Sequence, residues 1–367
     1  RWLAALLAAG AARAAEAGPF RGATGSARRA SAAESSDDTR YVAHVMPWFE
    51  NSTRIEGNHW CDPDYGNSYY ESVLGRYGSG DPAVIRKQLL MMRAAGIDGV
   101  WIDLQFPSWV DSIRAIVQEA TAMRMGFAIV VDNYARADIF DLVSEDLREF
   151  MDMPNYYRVY GRPVLPYYEH PERWGPATLP AWRALDGHRP FVIGTYAAHA
   201  DTGLPSGYDS LFFWNSPDLG WLEAYYKSPH FDVKVGAIFR GWREAYADRK
   251  HAPPYFGYLA DTLRLAQAEK PYFAQLVTWN DYGEGTMLEP SFLWTGAQGN
   301  RSRGDCGNPA SSQWNSETRS CTELFGEEAF TDGGLLPACL AAAAPGSPCS
   351  GSGGQPCALV VDCAKPA

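Results

Sequence analysis

Residues 82–132 read PAVIRKQLLMMRAAGIDGVWIDLQFPSWVDSIRAIVQEATAMRMGFAIVVD. Two runs inside this stretch, Gly99–Leu104 (GVWIDL) and Phe127–Asp132 (FAIVVD), are apolar almost without interruption. Alternating strands bury one face. Strands that do not alternate are buried on both, as in a parallel sheet covered by helices. The segment before them has helical character. Residues 82–95 open with Pro82 in the first turn, where a missing N–H costs nothing, and stop at Gly96, which suits a left-handed C-cap. Val84, Leu89, Met92 and Ala95 fall on one face of that helix, with Arg86, Lys87 and Arg93 elsewhere. Residues 109–124 carry a second helical pattern, so the unit is helix, strand, helix, strand.

The same alternation runs outward from Tyr41 to Trp279. Eight short β-rich runs appear: Val42–Trp48, Gly99–Leu104, Phe127–Asp132, Val164–Tyr168, Phe191–Thr195, Ser210–Trp214, Val233–Phe239 and Phe273–Trp279. Helical patterns also fall at 137–151 and at about Tyr258–Glu269, the latter closed by Lys270-Pro271. Eight strands alternating with helices predict an α/β fold, a (β/α)8 TIM barrel. The competing fold is an open doubly wound sheet. Against it, Pro47, Trp48, Phe49 and Glu50 follow the first run where a glycine-rich phosphate loop would stand.

The barrel pattern occupies residues 41–295. Before it, residues 1–40 hold a short apolar stretch, Trp2–Ala15, and a Ser/Ala/Gly/Arg-rich linker, and read as a clipped secretory signal with its linker. After it, residues 296–367 form a Gly/Ser/Pro-rich tail with Cys306, Cys321, Cys339, Cys349, Cys357 and Cys363. An even number of cysteines in a loop-rich tail points to disulfides and an oxidising compartment. Sequons at Asn51 and Asn300 agree with export, so the expected location is secreted, lumenal or periplasmic.

Composition narrows the function. Charged residues are 20% and hydrophobic ones 46% of 367, which is globular. The net charge of −11 argues against a partner with a phosphate backbone, so no nucleic acid is expected. No apolar run approaches the roughly 20 residues of a membrane span. No ligand spacing for a metal appears, and neither a metal nor a cofactor is expected. Aromatic residues reach 13%, with 13 Trp and 20 Tyr. Such rings serve a large core or the flat faces of sugars.

Active sites of such barrels sit at the C-terminal ends of the strands. In chain order those ends offer Trp48 and Glu50, Asp103 and Gln105, Asp132 and Asn133, Tyr168 and Glu169, Tyr196, Trp214 and Asn215, and Arg240. Acids there also cap following helices, and Asp103 and Asp132 are open to that reading. The eighth end carries the densest chemistry: Thr278–Pro290, TWNDYGEGTMLEP, with Asp281, Glu284 and Glu289 beside Trp279, Asn280 and Tyr282. Asp281 and Glu284 are three residues apart, which on a turn brings both carboxylates to one side. Cleaving a glycosidic bond needs two such groups. A surface loop or a calcium loop is the plainer alternative, but the EF-hand spacing is absent.

This stretch resembles the signature of family 99 glycoside hydrolases of the endo-α-mannosidase type, Trp-Asn-Glu-(Trp)-x-Glu-Gly-Thr-x-x-Glu-Pro. It is also similar to the family 71 α-1,3-glucanases, whose stretch is close to Trp-Asn-Asp-Tyr-Gly-Glu-Ser. HVMPWFEN with GNHW (Gly57–Trp60), AAGIDGVWID, YYRVYGRPVLPYY and GYDSLFFWN add to the likeness, which covers about Tyr41 to Ser291. The resemblance implies a barrel acting on α-linked glycans, with Glu284 as general acid/base. Asp281 would stand for the family 99 glutamate that acts on the sugar 2-hydroxyl. Here an aspartate, one methylene shorter, agrees with family 71, whereas Gly285-Thr286 and Glu289-Pro290 agree with family 99.

Around that pair, Trp48, His59, Trp60, Trp214 and Trp279 are candidates to wall a sugar site. Glu50, Asp103, Asp132, Glu169, Asn215, Asn280 and Glu289 are candidates to fix hydroxyls, Tyr196 and Tyr282 to contact sugar, and Arg240 to orient a carboxylate. The expected partner is an oligosaccharide or polysaccharide. Two other readings compete: a non-catalytic carbohydrate-binding barrel, and a transferase of polysaccharide assembly. No diphosphate-binding segment favours the transferase.

Overall fold

The computed structural model describes residues 39–50, 59–60, 68, 70–72, 74, 77–170, 173, 185, 187–196, 203–216, 218–242, 256–294 and 319–320. The N-terminal stretch, the cysteines and both sequons lie outside the described residues. The strands are β1 (Arg40–Val45), β2 (Tyr70–Ser72), β3 (Gly99–Leu104), β4 (Gly126–Asp132), β5 (Arg158–Val159), β6 (Arg162–Tyr168), β7 (Phe191–Thr195), β8 (Ser210–Phe212), β9 (Val235–Ile238), β10 (Phe273–Leu276), β11 (Ser291–Trp294) and β12 (Arg319–Ser320). The helices are α1 (Pro82–Ala94), α2 (Val110–Ala122), α3 (Ile139–Asp152), α4 (Leu219–Lys227) and α5 (Phe256–Glu269).

Eight of these strands pair in parallel in the order β4-β3-β1-β10-β9-β8-β7-β6. The ring closes where Val131 of β4 lies opposite Tyr167 of β6, and Asp132 opposite Tyr168. This is the (β/α)8 barrel, and each of its strands coincides with one of the eight apolar runs. The open doubly wound sheet is excluded by the β4–β6 pairing.

Ring contacts show which side chains fill the interior. Trp101 of β3 meets Phe212 of β8 across the barrel at 6.4 Å between centroids, and Phe273 of β10 at 5.4 Å. Above them His44 of β1 meets Trp214 at 4.8 Å, and Tyr168 meets Trp214 at 5.1 Å. Such layers, one strand's residues stacked over another's, are how these barrels are packed. At the opposite end Tyr157 packs on Phe273 at 5.3 Å. Glycines make room for it: a Cβ on Gly126 would stand 2.4 Å from a Tyr157 ring carbon.

Helix α1 shows how the outer layer is specified. Asp81 caps it, accepting from the Ala83 N–H at 2.8 Å, and Gly96 beyond its end has φ +80. Its buried face is Ile85, Gln88, Leu89, Met91 and Met92, whereas Val84 and Ala95 are only part-buried. The expected apolar face is therefore rotated, because Gln88 is drawn inward by a buried carboxylate described below. Helix α2 begins at Val110, after a 3-10 turn at Pro107–Trp109, and α4 falls in an interval to which the sequence pattern assigned no helix. A second apolar cluster joins the outer faces of β8 and β9 (Leu211, Phe213, Ala237, Phe239) to Leu222, Tyr225 and Tyr226 of α4. A small antiparallel sheet, β2-β11-β12, lies outside the barrel order. In it Arg319 lies opposite Trp294.

Candidate active site

The turn after β10 is built by its own polar groups. The Thr278 and Thr286 hydroxyls hydrogen-bond at 2.9 Å, and the Leu288 N–H donates to the Thr278 carbonyl at 2.8 Å. This closes residues 278–288 into a tight loop. Within it Asp281 Oδ1 accepts the Glu284 N–H at 2.9 Å, while the Thr286 N–H donates to the Asp281 carbonyl at 3.2 Å. Gly285, at φ +65, permits the reversal. Asp281 is buried and Glu284 half-buried, so one acid braces the backbone that carries the other.

Two partners fasten this loop to the barrel. Asn280 clamps β1: its Oδ1 accepts the Met46 N–H at 2.8 Å and its Nδ2 donates to the Met46 carbonyl at 3.0 Å. The Trp279 N–H donates to the His44 carbonyl at 2.7 Å. Arg240, just past β9, is buried and donates to the Gly285 carbonyl at 3.3 Å, its guanidinium 5.0 Å from the Tyr70 ring. Burial lowers its pKa. Among the described residues it meets no carboxylate, contrary to the expected role. It holds the backbone beside Glu284 instead.

Glu289 lies beneath the loop, fully buried. Its Oε2 accepts from the Tyr282 hydroxyl at 2.7 Å and the Tyr77 hydroxyl at 2.8 Å, and its Oε1 from the Gln88 amide at 2.8 Å. Asn280 Nδ2 in turn donates to the Tyr77 oxygen at 3.2 Å. Burial pushes the Glu289 carboxyl up to about 7, with these donors opposing the rise. Glu289 and Tyr282 thus tie the loop to α1, away from a position to touch sugar.

A separate group of acids faces the barrel mouth. Asp103 ends β3 and is buried. Burial, then Asp132 and Asp281, pushes its carboxyl well above the usual range, with His170 opposing. Asp132 accepts from the Gln105 amide at 2.9 Å and the Tyr134 N–H at 2.6 Å, and lies 3.3 Å from His170 Nε2. The Tyr134 bond is a local turn bond of the capping type. His44 Nε2 is 3.7 Å from Asp103 Oδ1. Burial pulls the His44 pKa down to about 4, so the ring is neutral at neutral pH.

The remaining candidates divide. Trp48 stacks on His59 at 4.0 Å and meets Trp109 edge-on at 5.8 Å, which makes an aromatic shelf that reaches half-exposed Phe106. The indole N–H groups of Trp48 and Trp279 donate to no described residue. Trp60 is core: it packs on Phe49 at 4.2 Å and its indole donates to the Tyr77 carbonyl at 2.7 Å. Trp214 and Asn215 are half-buried past β8, with Trp214 against His44. Glu50 is half-buried past β1. Glu169 is buried and accepts from the Tyr208 hydroxyl at 2.9 Å. Tyr196 does not join the mouth. It packs in the outer layer against Tyr225 at 4.9 Å and Phe213 at 6.0 Å.

His44, Tyr77, Gln88 and His170 join the site without standing among the candidates that strand ends and motifs mark. Gln88 carried a signal, a lone amide at the apolar spacing of Ile85, Leu89 and Met92. His44 carried one too, an imidazole inside an apolar run. Tyr77 lies in a loop without pattern. Among the described residues no group of three or more His, Cys, Asp or Glu is set to hold a metal ion. No described helix is long and apolar enough to cross a membrane.

Comparison with known proteins agrees with the motif. Residues 37–180 match the model of glycosyl hydrolase family 99, a span that runs from β1 past β6 and ends before the Asp281–Glu284 loop. Two solved structures share the fold: the family 99 endo-α-mannosidase of Bacteroides thetaiotaomicron at 17% identity and TM-score 0.56, covering 69% of this chain and 88% of that one. The same enzyme in complex with bis-tris propane aligns at 18% identity and TM-score 0.54, covering 69% and 87%. No curated protein matches. The chain is thus similar to the family 71/99 type of glycoside hydrolase, as the residues led one to expect.

Proposed function

We propose that this chain is a glycoside hydrolase of α-linked glycans, with α-mannosides as its first substrate class, acting at the C-terminal mouth of the barrel. The observation that carries the reading is the Asp281–Glu284 turn, two carboxylates braced on one tight loop beside a barrel of family 99 likeness. Glu284 is the general acid/base. It gives its proton to the glycosidic oxygen as that oxygen leaves the anomeric carbon. Asp281 takes the proton of the 2-hydroxyl as that oxygen closes on the anomeric carbon. Water then opens the intermediate, giving a proton back to Glu284, while Asp281 returns its own to the 2-oxygen. Trp48, His59 and Trp214 wall the sugar, and Glu50, Asp103, Asp132, Glu169 and Asn215 reach its hydroxyls. The stretch Trp2–Ala15 belongs to this reading as an export signal, tested by following the full-length chain into the medium or lumen.

A non-catalytic glycan-binding barrel is the second reading. The observation in its favour is that Asp281 is short and already spends an oxygen on the Glu284 N–H. Reducing-end release from α-mannan, α-1,3-glucan and other α-linked glycans separates the two, with acceptor sugar added in parallel to register transfer. Hydrolysis of one polymer supports the enzyme; sugar binding without product supports the binding barrel.

A further inference from the structure

His44 and Asp103 come from adjacent strands and both point into the top interior layer, where Trp214 stands edge-on to the imidazole. Both are buried, at 1% and 2% exposure, yet His44 Nε2 and Asp103 Oδ2 have no hydrogen-bond partner among the described residues. Buried polar atoms are rarely left so, and at a barrel mouth a ligand group is placed to supply the partner. The sense of each group follows from its neighbours. Gln275 Nε2 donates to the Phe213 carbonyl at 3.4 Å, which turns its Oε1 toward His44 Nδ1 at 3.2 Å. Nδ1 therefore carries the hydrogen and Nε2 is a bare acceptor. Burial, then Asp132 and Asp281, favours the protonated form of the Asp103 carboxyl, with His170 opposing, which suits it to donate. Asp103 Oδ1 stands 3.7 Å from His44 Nε2, too far to bond it, and the unmet Oδ2 belongs to the same carboxyl, so one hydroxyl placed between the two side chains can meet both.

We propose that His44 and Asp103 form a hydroxyl-binding subsite in the barrel mouth, with Nε2 accepting the hydrogen of one sugar hydroxyl and the Asp103 carboxyl donating to its oxygen. The pair is a positioning and specificity device. It rests on the glycan reading above and adds to it which groups choose the sugar's stereochemistry. A hydroxyl of the opposite configuration leaves both atoms unmet, the situation that gives polar sites their largest discrimination.

The test is binding of methyl α-D-mannopyranoside and its four monodeoxy analogues to the full chain carrying Glu284→Gln, by calorimetry. One deoxy analogue should bind at least tenfold more weakly than the parent. Asp103→Asn, which keeps a donor without the acid, should retain parent affinity within about threefold, whereas Asp103→Leu and His44→Phe should lose tenfold and no longer distinguish that analogue. If Asp103→Asn binds as poorly as Asp103→Leu, or all deoxy sugars lose equally, the subsite is overturned while the glycan reading stands. A chain that binds none of the sugars overturns both. Thermal unfolding of each variant reports folding, and Asp103→Asn, the isosteric change, decides the outcome if the larger substitutions do not fold.

Discussion

Asp281 Oδ1 accepts the backbone N–H of Glu284 at 2.9 Å. The relationship gives Asp281 a structural duty apart from any chemistry, and the two duties separate by substitution. Asp281→Asn keeps an oxygen for the bond and should leave stability within about 0.5 kcal/mol. Asp281→Ala removes it and should cost about 1 kcal/mol, as loss of a capping acceptor does. Hydrolysis should fall at least 100-fold in both. Denaturant unfolding alongside reducing-end assays checks this; an active Asp281→Asn would leave Asp281 with the structural duty alone.

Glu289 should mark the pH dependence of stability. Its folded pKa is raised to about 7 from 4.5, so the folded state keeps a proton that the unfolded chain releases. Stability from this group is full below about pH 4.5 and is lost as pH rises through 7, a change of about 3 kcal/mol. His44 works the other way. Its folded pKa lies at about 4, so its contribution is present above pH 6.5 and lost toward pH 4. The two slopes oppose each other in the wild type. Glu289→Gln should therefore leave stability rising more steeply between pH 4.5 and 6.5. An unchanged profile in chemical denaturation across that range would contradict the assignment.

Gln88 donates to Glu289 Oε1 at 2.8 Å. Gln88→Leu suits the apolar face of α1 but removes one donor from the buried carboxylate. The expected cost is about 1–3 kcal/mol. It should be larger at pH 8, where Glu289 is ionised, than at pH 5. A loss independent of pH would mean that packing, not the carboxylate, explains Gln88.

Gly126 is required by the Tyr157 ring at the N-terminal end of the barrel, not by backbone conformation. Gly126→Ala should destabilise by about 1–3 kcal/mol through overpacking. In a Tyr157→Ala background the same change should cost less than half as much. Additive losses would show that the ring is not the obstacle.

The barrel was legible because its strands are buried on both faces. GVWIDL and FAIVVD cannot be half-solvated, and once eight such runs alternate with helices, few topologies remain. The acid-bearing loop was legible because TWNDYGEGTMLEP concentrates carboxylates and aromatics at a strand end. What pattern did not reveal was direction. Tyr196 follows a strand as Trp214 does, yet it turns into the outer layer on α4. Arg240 sits at a strand end but meets a carbonyl in place of an acid. Glu289 looks like its neighbours in sequence, and only the fold sets it under the loop, among Tyr77, Tyr282 and Gln88. Strand ends name the candidates; the neighbours each side chain packs against sort them.

Glu284, braced by Asp281, is proposed to cleave an α-linked glycan. The most direct test is the rate of reducing-end release from α-mannan by the wild type and by Glu284→Gln, with sugar binding measured on the same samples. The wild type should release reducing ends, Glu284→Gln should lose at least 1,000-fold, and both should retain binding. Equal rates in the two proteins, or binding without release in the wild type, would contradict that role.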